Sequence, residues 1–378
     1  MPIYFDQASS SFPKPAVVAD AVYEAISKNG ISINRSSNRY AYQLESNIYD
    51  TRELINEFFN GYGVSNIAFT KNITESLNII IKGLLKSGDH VIISPLEHNA
   101  VLRPLHYMTK FGVEYSIFDC DSEGTIDLAS IERLINPNTR AIITTHASNV
   151  SGTILPITEI GMICKAHNLL FIVDSAQTAG VLPIDMKAMN IDILCFTGHK
   201  SLLGPQGIGG FLLRKGLQKS IIPLIHGGTG SISFSESMPE FMPDRFEAGT
   251  QNTPAILGLS AGLKWLKDKG IENIYNHEKK LCEAFLNGAS NINSIEIVGK
   301  KTTENRLGLV SIASKDDIAL LAQKLEEKGI ITRVGLHCAP LAHKNLFTYP
   351  QGTIRFSFGY FNTLDEVETV IKALEELV

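Results

Sequence analysis

Between residues 66 and 214 the chain keeps returning to one pattern, a short apolar run rich in β-branched residues followed by a longer stretch with helical spacing. The runs are "HVIISP" (90–95), "VEYSIF" (113–118), "RAIITTHAS" (140–148), "LLFIVDSAQ" (169–177), "DILCFTG" (192–198) and "GIGGFLL" (207–213). They are continuous rather than alternating, as strands are when both faces of a largely parallel sheet are covered. Helices are expected between them at 74–87, 97–111, 127–135 and 156–167. This alternation predicts an open α/β domain with helices on both faces. Past residue 255 the pattern changes. Helical stretches at 256–269 and 271–290 lead into "SIEIVG", "LGLVSIAS", "IITRVG" and "TIRFSFG", with further helices at 316–328 and 363–378. This half reads as a smaller α+β domain with its own sheet. The expected organisation is an amino-terminal arm (1–15), a large domain (16–255) and a small carboxyl-terminal domain (256–378), since 378 residues exceed what one simple core needs.

Charge and hydropathy exclude several partners. The net charge is −5 and no Lys/Arg run stands out, which argues against nucleic acid or an anionic membrane surface. No apolar stretch reaches the length of a bilayer span. The start, "MPIYFDQASSSFPKP", has no apolar core of a signal peptide, so the cytoplasm is the expected compartment. The five cysteines are scattered, with no C-x-x-C pair, so neither a disulfide framework nor a metal site is expected.

In open α/β sheets ligands bind at the carboxyl ends of the strands. Those ends are polar here. "THASNVSGT" supplies Asn149, "VDSAQ" supplies Asp174 and Gln177, "FTGHK" supplies Thr197, His199 and Lys200, and "SPLEH" ends on His98. In "FTKNITES", Asn72 and Glu75 have capping-box spacing and Thr74 falls in the first turn of a helix, whose free N–H groups suit a phosphate. Lysine is seldom buried without a partner. Lys200 follows an interior strand and precedes a Gly/Pro-rich turn, so either it turns out to solvent or its amine is held to react. Singly these residues have plainer roles. Asp174 or Thr74 can serve a helix start, His98 can be structural, and Asn149 and Gln177 alone carry little. Jointly, an acid, a lysine and a phosphate-ready helix start match pyridoxal phosphate, which needs an amine for its Schiff base and an acid at its pyridine nitrogen. A nucleotide loop in "GPQGIGG" is disfavoured, because no helix start follows it.

The motifs "LEHNA", "HASNVSGT", "VDSAQ", "TGHK", "FEAGTQNT", "RVGLHCA" and "IRFSFGYFNT" run in order along nearly the whole chain. In them the sequence resembles the cysteine desulfurase/selenocysteine lyase family of class V aminotransferase-fold enzymes. The resemblance implies pyridoxal 5'-phosphate as cofactor, the fold type I architecture, and a homodimer with active sites at the subunit interface. It implies that Lys200 carries the cofactor, Asp174 and Gln177 hold the pyridine nitrogen and ring oxygen, and His98 stacks on the ring. Thr74, Thr197 and His199 would bind the phosphate, Thr250 would reach in from the neighbouring subunit, and Asn149 would lie beside the ring. Arg355 would clamp the substrate carboxylate, a task suited to a planar bidentate donor.

Among the cysteines, Cys195 in its strand and Cys164 in its helix read as core, Cys282 follows helical spacing and Cys120 sits in a turn. Cys338 follows a strand beside Gly, Pro and two histidines. The resemblance makes it the nucleophile that takes sulfur from L-cysteine as a persulfide and releases alanine, with His337 and Arg333 expected to favour its thiolate. The sulfur would pass to an acceptor protein, for instance in iron–sulfur assembly. Two positions depart from the family pattern. Leu336 stands where a second histidine is frequent, and Ile73 where a threonine is frequent. Rival readings are a selenocysteine lyase, a class V transaminase, lyase or epimerase that does not use Cys338, and a non-catalytic binding protein keeping the fold.

Overall fold

The computed structural model describes residues 2–28, 30, 31, 33 and 38–378. In chain order its elements begin with β1 (Ile3–Tyr4), α1 (Ala16–Lys28) and α2 (Arg39–Phe58). There follow β2 (Ile67–Thr70), α3 (Ile73–Leu84), β3 (His90–Ile93), α4 (Asn99–Thr109), β4 (Glu114–Ile117), α5 (Leu128–Leu134) and β5 (Thr139–Thr145). Next come α6 (Ile157–Ala166), β6 (Leu170–Asp174), β7 (Ile193–Thr197), β8 (Gly209–Leu213), α7 (Thr253–Lys269) and α8 (Ile271–Ala289). The chain ends with β9 (Ile295–Val298), β10 (Leu309–Ser314), α9 (Ile318–Glu327), β11 (Ile330–Ile331), β12 (Arg333–Gly335), α10 (Pro340–Asn345), β13 (Thr353–Ser357) and α11 (Leu364–Leu377).

Seven strands form the larger sheet in the order β2-β8-β7-β6-β5-β3-β4. All neighbours are parallel except those of β8, which runs antiparallel to both β2 and β7. Alternate residues of the strands enter two different cores. Ile142, Phe171 and Leu194 join α2, α6 and α7, whereas Ala141, Ile143, Ile172 and Cys195 join α3 and α4. Burial on both faces is why these strands read as unbroken apolar runs. The architecture is thus the expected α/β one, with a mostly parallel sheet flanked by helices.

The second sheet is antiparallel, in the order β12-β13-β10-β9, and has its own core with α8, α9 and α11. "IITRVG" makes two short strands rather than one. Ile330–Ile331 pairs with Ile3–Tyr4 of the arm, and Arg333–Gly335 pairs with β13. The expected boundary after residue 255 falls inside α7, whose Ile256, Leu259, Leu263 and Leu266 lie in the core of the larger sheet.

Candidate active site

A cavity of about 280 Å³ lies at the carboxyl ends of the parallel strands. It is lined by Asn72 and Thr74, by His98, by Asn149, by Asp174 and Gln177, by Thr197, His199 and Lys200, and by Arg333, His337 and Arg355. Several parallel strands of the larger sheet deliver their polar ends to this one edge. β6 ends on Asp174 and β7 on Thr197, while β3 and β5 feed the loops carrying His98 and Asn149. The chain order doubles back between β3, whose successor β4 lies on one side, and β5, which lies on the other. Such a reversal opens the crevice where α/β sheets take their ligands.

Asp174 is fully buried, takes an N–H from Ala176 at 2.8 Å, and is held above the ordinary carboxylate range by burial, which outweighs that N–H and the nearby Lys200 cation. Burial likewise brings the Lys200 amine down to about 8, helped by Arg355 and Arg333 and opposed by Asp174. His98 caps α4, with Ala100 N–H donating to its Nδ1 at 3.0 Å. Burial and Lys200 lower its pKa to about 4, so the ring is neutral and its proton sits on Nε2. His199 is lowered to about 4 by burial and by Lys200.

At the start of α3, Asn72 Oδ1 takes the Glu75 N–H at 3.0 Å, leaving the first-turn amides of residues 73 and 74 for another acceptor. The reciprocal half of the box is displaced by one residue, since Glu75 Oε2 takes the N–H of Lys71, not of Asn72. β8 passes tightly beneath this turn. A Cβ on Gly209 would lie 2.8 Å from the Asn72 backbone, so only glycine fits.

Around the cavity several buried polar atoms have no partner among the described residues: Thr197 Oγ1, His199 Nδ1, Asn149 Oδ1 and Arg355 Nε. Buried polar groups are normally satisfied. These atoms, the buried acid, the lowered lysine and the free helix-start amides together fit a phosphate-bearing aromatic cofactor with a basic ring nitrogen.

Arg355 is buried and already engaged. Its Nη1 donates to the Asn149 carbonyl at 3.1 Å, and its Nη2 donates to Asp6 Oδ1 at 2.8 Å and to Ser9 Oγ at 2.9 Å. Asn149 Nδ2 donates to the His337 carbonyl at 2.8 Å, and Gln177 Nε2 donates to the Ala8 carbonyl at 3.2 Å. Cys338 is exposed, 4.0 Å from Arg333 Nη2, and Asn99 N–H donates to its carbonyl at 2.8 Å. His337 and Cys338 are both left-handed, at φ 47° and 56°. Successive non-glycine residues of that kind mark a loop held in shape by its surroundings. Arg333 meets the expectation of a cation beside the sulfur. His337 does not. Its ring turns inward to Thr353 Oγ1 at 2.8 Å, and burial together with Arg355 pushes it far below its ordinary value, so it is neutral and offers Cys338 no positive charge.

The other four cysteines are unlike Cys338. Burial raises the thiols of Cys164, Cys195 and Cys282, and also that of half-buried Cys120. Thr250 is exposed on its loop and does not line the cavity of its own chain. The loop is anchored by Glu247, which holds Arg52 bidentately at 2.9 and 2.7 Å and takes the Phe69 N–H at 2.7 Å.

Sequence reasoning missed two groups. One is the amino-terminal arm. Ser11 N–H donates to the His199 carbonyl at 3.1 Å, Ser11 Oγ to the Lys200 carbonyl at 3.0 Å, and Lys14 Nζ to the His199 carbonyl at 3.0 Å. The only trace in "DQASSSFPKP" is a polar run without periodicity. The other is Glu97, inside the quoted "LEHNA". It is fully buried, takes the Thr145 N–H at 2.6 Å, bonds to Ser94, and is raised to about 8 mainly by burial.

Residues 3–370 match the aminotransferase class-V family, and the chain belongs to it. The family's enzymes depend on pyridoxal phosphate, the cofactor that the cavity fits. Among its relatives, a probable cysteine desulfurase of Pyrococcus abyssi is 34% identical, with all of this chain and 94% of that protein covered. The cysteine desulfurase of Escherichia coli O157:H7 is 29% identical over the same shares. The structure superposes on the apo cysteine desulfurase from Thermococcus onnurineus NA1 with a TM-score of 0.93 and 32% identity, covering all of this chain and 94% of that one. It also superposes on the Escherichia coli cysteine desulfurase CsdA in its S-sulfonic acid form, with a TM-score of 0.88 and 27% identity, covering all of this chain and 96% of that one.

Proposed function

We propose that this chain is a cysteine desulfurase that converts L-cysteine to L-alanine and keeps the sulfur as a persulfide on Cys338. The observation that carries the reading is the exposed Cys338 sulfur 4.0 Å from Arg333, which lines the cavity together with Lys200 and Arg355. The relatives named above bear the same activity in their names.

The cofactor, when bound, supplies an electron sink that loosens the bonds at the substrate's Cα. Lys200 then moves the Cα proton, and an amine pKa near 8 leaves enough of it unprotonated at neutral pH to do so. Asp174 would pair with the ring nitrogen, Gln177 with the ring oxygen, and Asn149 and neutral His98 would hold the ring. Thr74, Thr197 and His199 would hold the phosphate, and Arg355 would take the substrate carboxylate. The Cys338 thiolate attacks the substrate sulfur; an S–S bond forms as the C–S bond breaks, the electron pair goes to carbon, and a proton completes alanine. Atoms balance as L-cysteine plus thiol giving L-alanine plus persulfide.

Thr250 is displayed away from its own cavity on an anchored loop, which supports its delivery to a second copy in a homodimer. An exposed persulfide suits hand-over to an acceptor protein, and a cytoplasmic site fits that chemistry. Among the described residues, no helix is long and apolar enough to cross a membrane.

The test is alanine released from L-cysteine, with a reducing thiol present, by wild type and Cys338→Ala. The variant is expected to lose about 100-fold or more of the activity, on the scale of a removed nucleophile, with its cofactor absorbance intact. Equal alanine from both would make Cys338 dispensable and move the reading to selenocysteine or another β-substituted amino acid.

A further inference from the structure

Arg333 and Arg355 stand directly opposite each other across the β12–β13 ladder. Like charges so placed repel. One hydroxyl of the amino-terminal arm reconciles them. Ser9 Oγ accepts from Arg333 Nη1 at 2.9 Å and from Arg355 Nη2 at 2.9 Å, and donates to Asp6 Oδ1 at 2.7 Å. A hydroxyl has one hydrogen and two lone pairs, so Ser9 is fully used. Asp6, through the same Oδ1, takes Arg355 Nη2 at 2.8 Å and supplies the anion between the two cations.

The arm itself is fixed at this point. Ser9 N–H donates to the Asp6 carbonyl at 3.1 Å, Ala8 N–H donates to Ser357 Oγ at 2.9 Å, and Asp6 bridges Ser357 as a strand partner. The far end of the Arg333 guanidinium is the group 4.0 Å from Cys338 Sγ. A continuous path therefore runs from Cys338 through Arg333 and Ser9 to Arg355, with a residue of the arm at its centre.

We propose that Ser9 is a positioning residue that locks Arg355 to Arg333, and so holds the carboxylate of an amino-acid substrate at a set distance from the Cys338 sulfur. The role rests on the desulfurase reading given above, in which Arg355 binds the substrate and Cys338 attacks it. Ser9 does not itself touch the reacting atoms.

The experiment compares holoenzyme of wild type, Ser9→Ala and Ser9→Thr. Carboxylate binding is followed by titrating L-alanine and reading the cofactor absorbance. The exposed thiol is followed by its rate of alkylation with iodoacetamide at neutral pH, with Cys338→Ala as the blank. Ser9→Ala is expected to weaken L-alanine binding about tenfold, the scale of one hydrogen bond to a charged group. It is expected to slow alkylation several-fold, since Arg333 is no longer held beside the sulfur. Its cofactor absorbance stays that of wild type, and Ser9→Thr, which keeps the hydroxyl, restores both readouts to within about twofold. Wild-type behaviour of Ser9→Ala in both readouts would overturn the proposal. So would loss of the cofactor absorbance along with binding, which marks a merely structural residue, or a Ser9→Thr no better than alanine. Failure of the desulfurase reading shows itself separately, as no alanine from L-cysteine in wild type, and leaves both Ser9 readouts in place.

Discussion

The cavity has a floor and a wall, and they are finished differently. The floor comes from strand ends of the larger sheet, and its Thr197, His199 and Asn149 present buried polar atoms that nothing else in the described chain satisfies. The wall comes from β12, β13 and the arm, and its arginines are already bonded to Asp6, Ser9 and a backbone carbonyl. Of the wall's guanidinium atoms, Arg355 Nε is buried without a partner. The floor is therefore built to be completed by a tightly held group. The wall is mostly bonded within the chain, with Arg355 Nε left over among the described residues, so on the proposed reading a substrate carboxylate would join or displace Asp6. That suits a cofactor that stays and a substrate that comes and goes.

The largest effect expected is on the floor. Lys200→Ala should cut alanine formation by about 10³-fold or more, combining the loss of a proton-moving group and of the cofactor's covalent anchor. Turnover assays with the cofactor spectrum alongside would show it. A variant keeping a tenth of the activity would take Lys200 out of the chemistry. On the wall, Arg355→Lys should raise KM for L-cysteine roughly 10- to 100-fold while kcat changes little, because an ammonium cannot reproduce the bidentate fork. A fall in kcat at constant KM would remove Arg355 from substrate binding and merge wall with floor.

The smallest effect concerns the support under the floor. Glu97 titrates near 8 in the fold and near its ordinary 4.5 when unfolded. Between those values the folded chain holds an extra proton, so stability falls as pH rises from about 4.5 towards 8. Glu97→Gln abolishes that loss. Its Tm should exceed wild type by a few degrees, on the order of 2–5 °C, at pH 8, with the gap closing towards pH 5. Scanning calorimetry at the two pH values would decide it. An equal gap at both would mean that Glu97 is ionised in the fold.

The floor was largely legible. Lys200, Asp174, Thr197, His199, Asn149, His98, Gln177 and Thr74 were each named from a strand end or helix start, and all line one cavity. A strand buried on both faces must end somewhere polar, and parallel strands end on the same edge, so local pattern suffices to gather these groups. The wall was legible only as residue types. Cys338 and Arg355 stood out by motif, and Arg333 was expected beside the sulfur, yet His337, its immediate neighbour in sequence, turns inward to Thr353. Adjacency in the chain says nothing about direction once two successive residues take left-handed backbone.

What the sequence by itself determined is the larger sheet, its buried strands and the polar cluster with Lys200 that follows β7, because period and run length act over a few residues. Only the tertiary structure decided that Asp6 and Ser9 would meet Arg355, nearly the whole chain away. That contact exists because β1 pairs with β11, Asp6 bridges Ser357, and Arg333 falls opposite Arg355 in the ladder. Such a meeting depends on the register between distant segments, which the closing of the sheets sets and no local pattern carries.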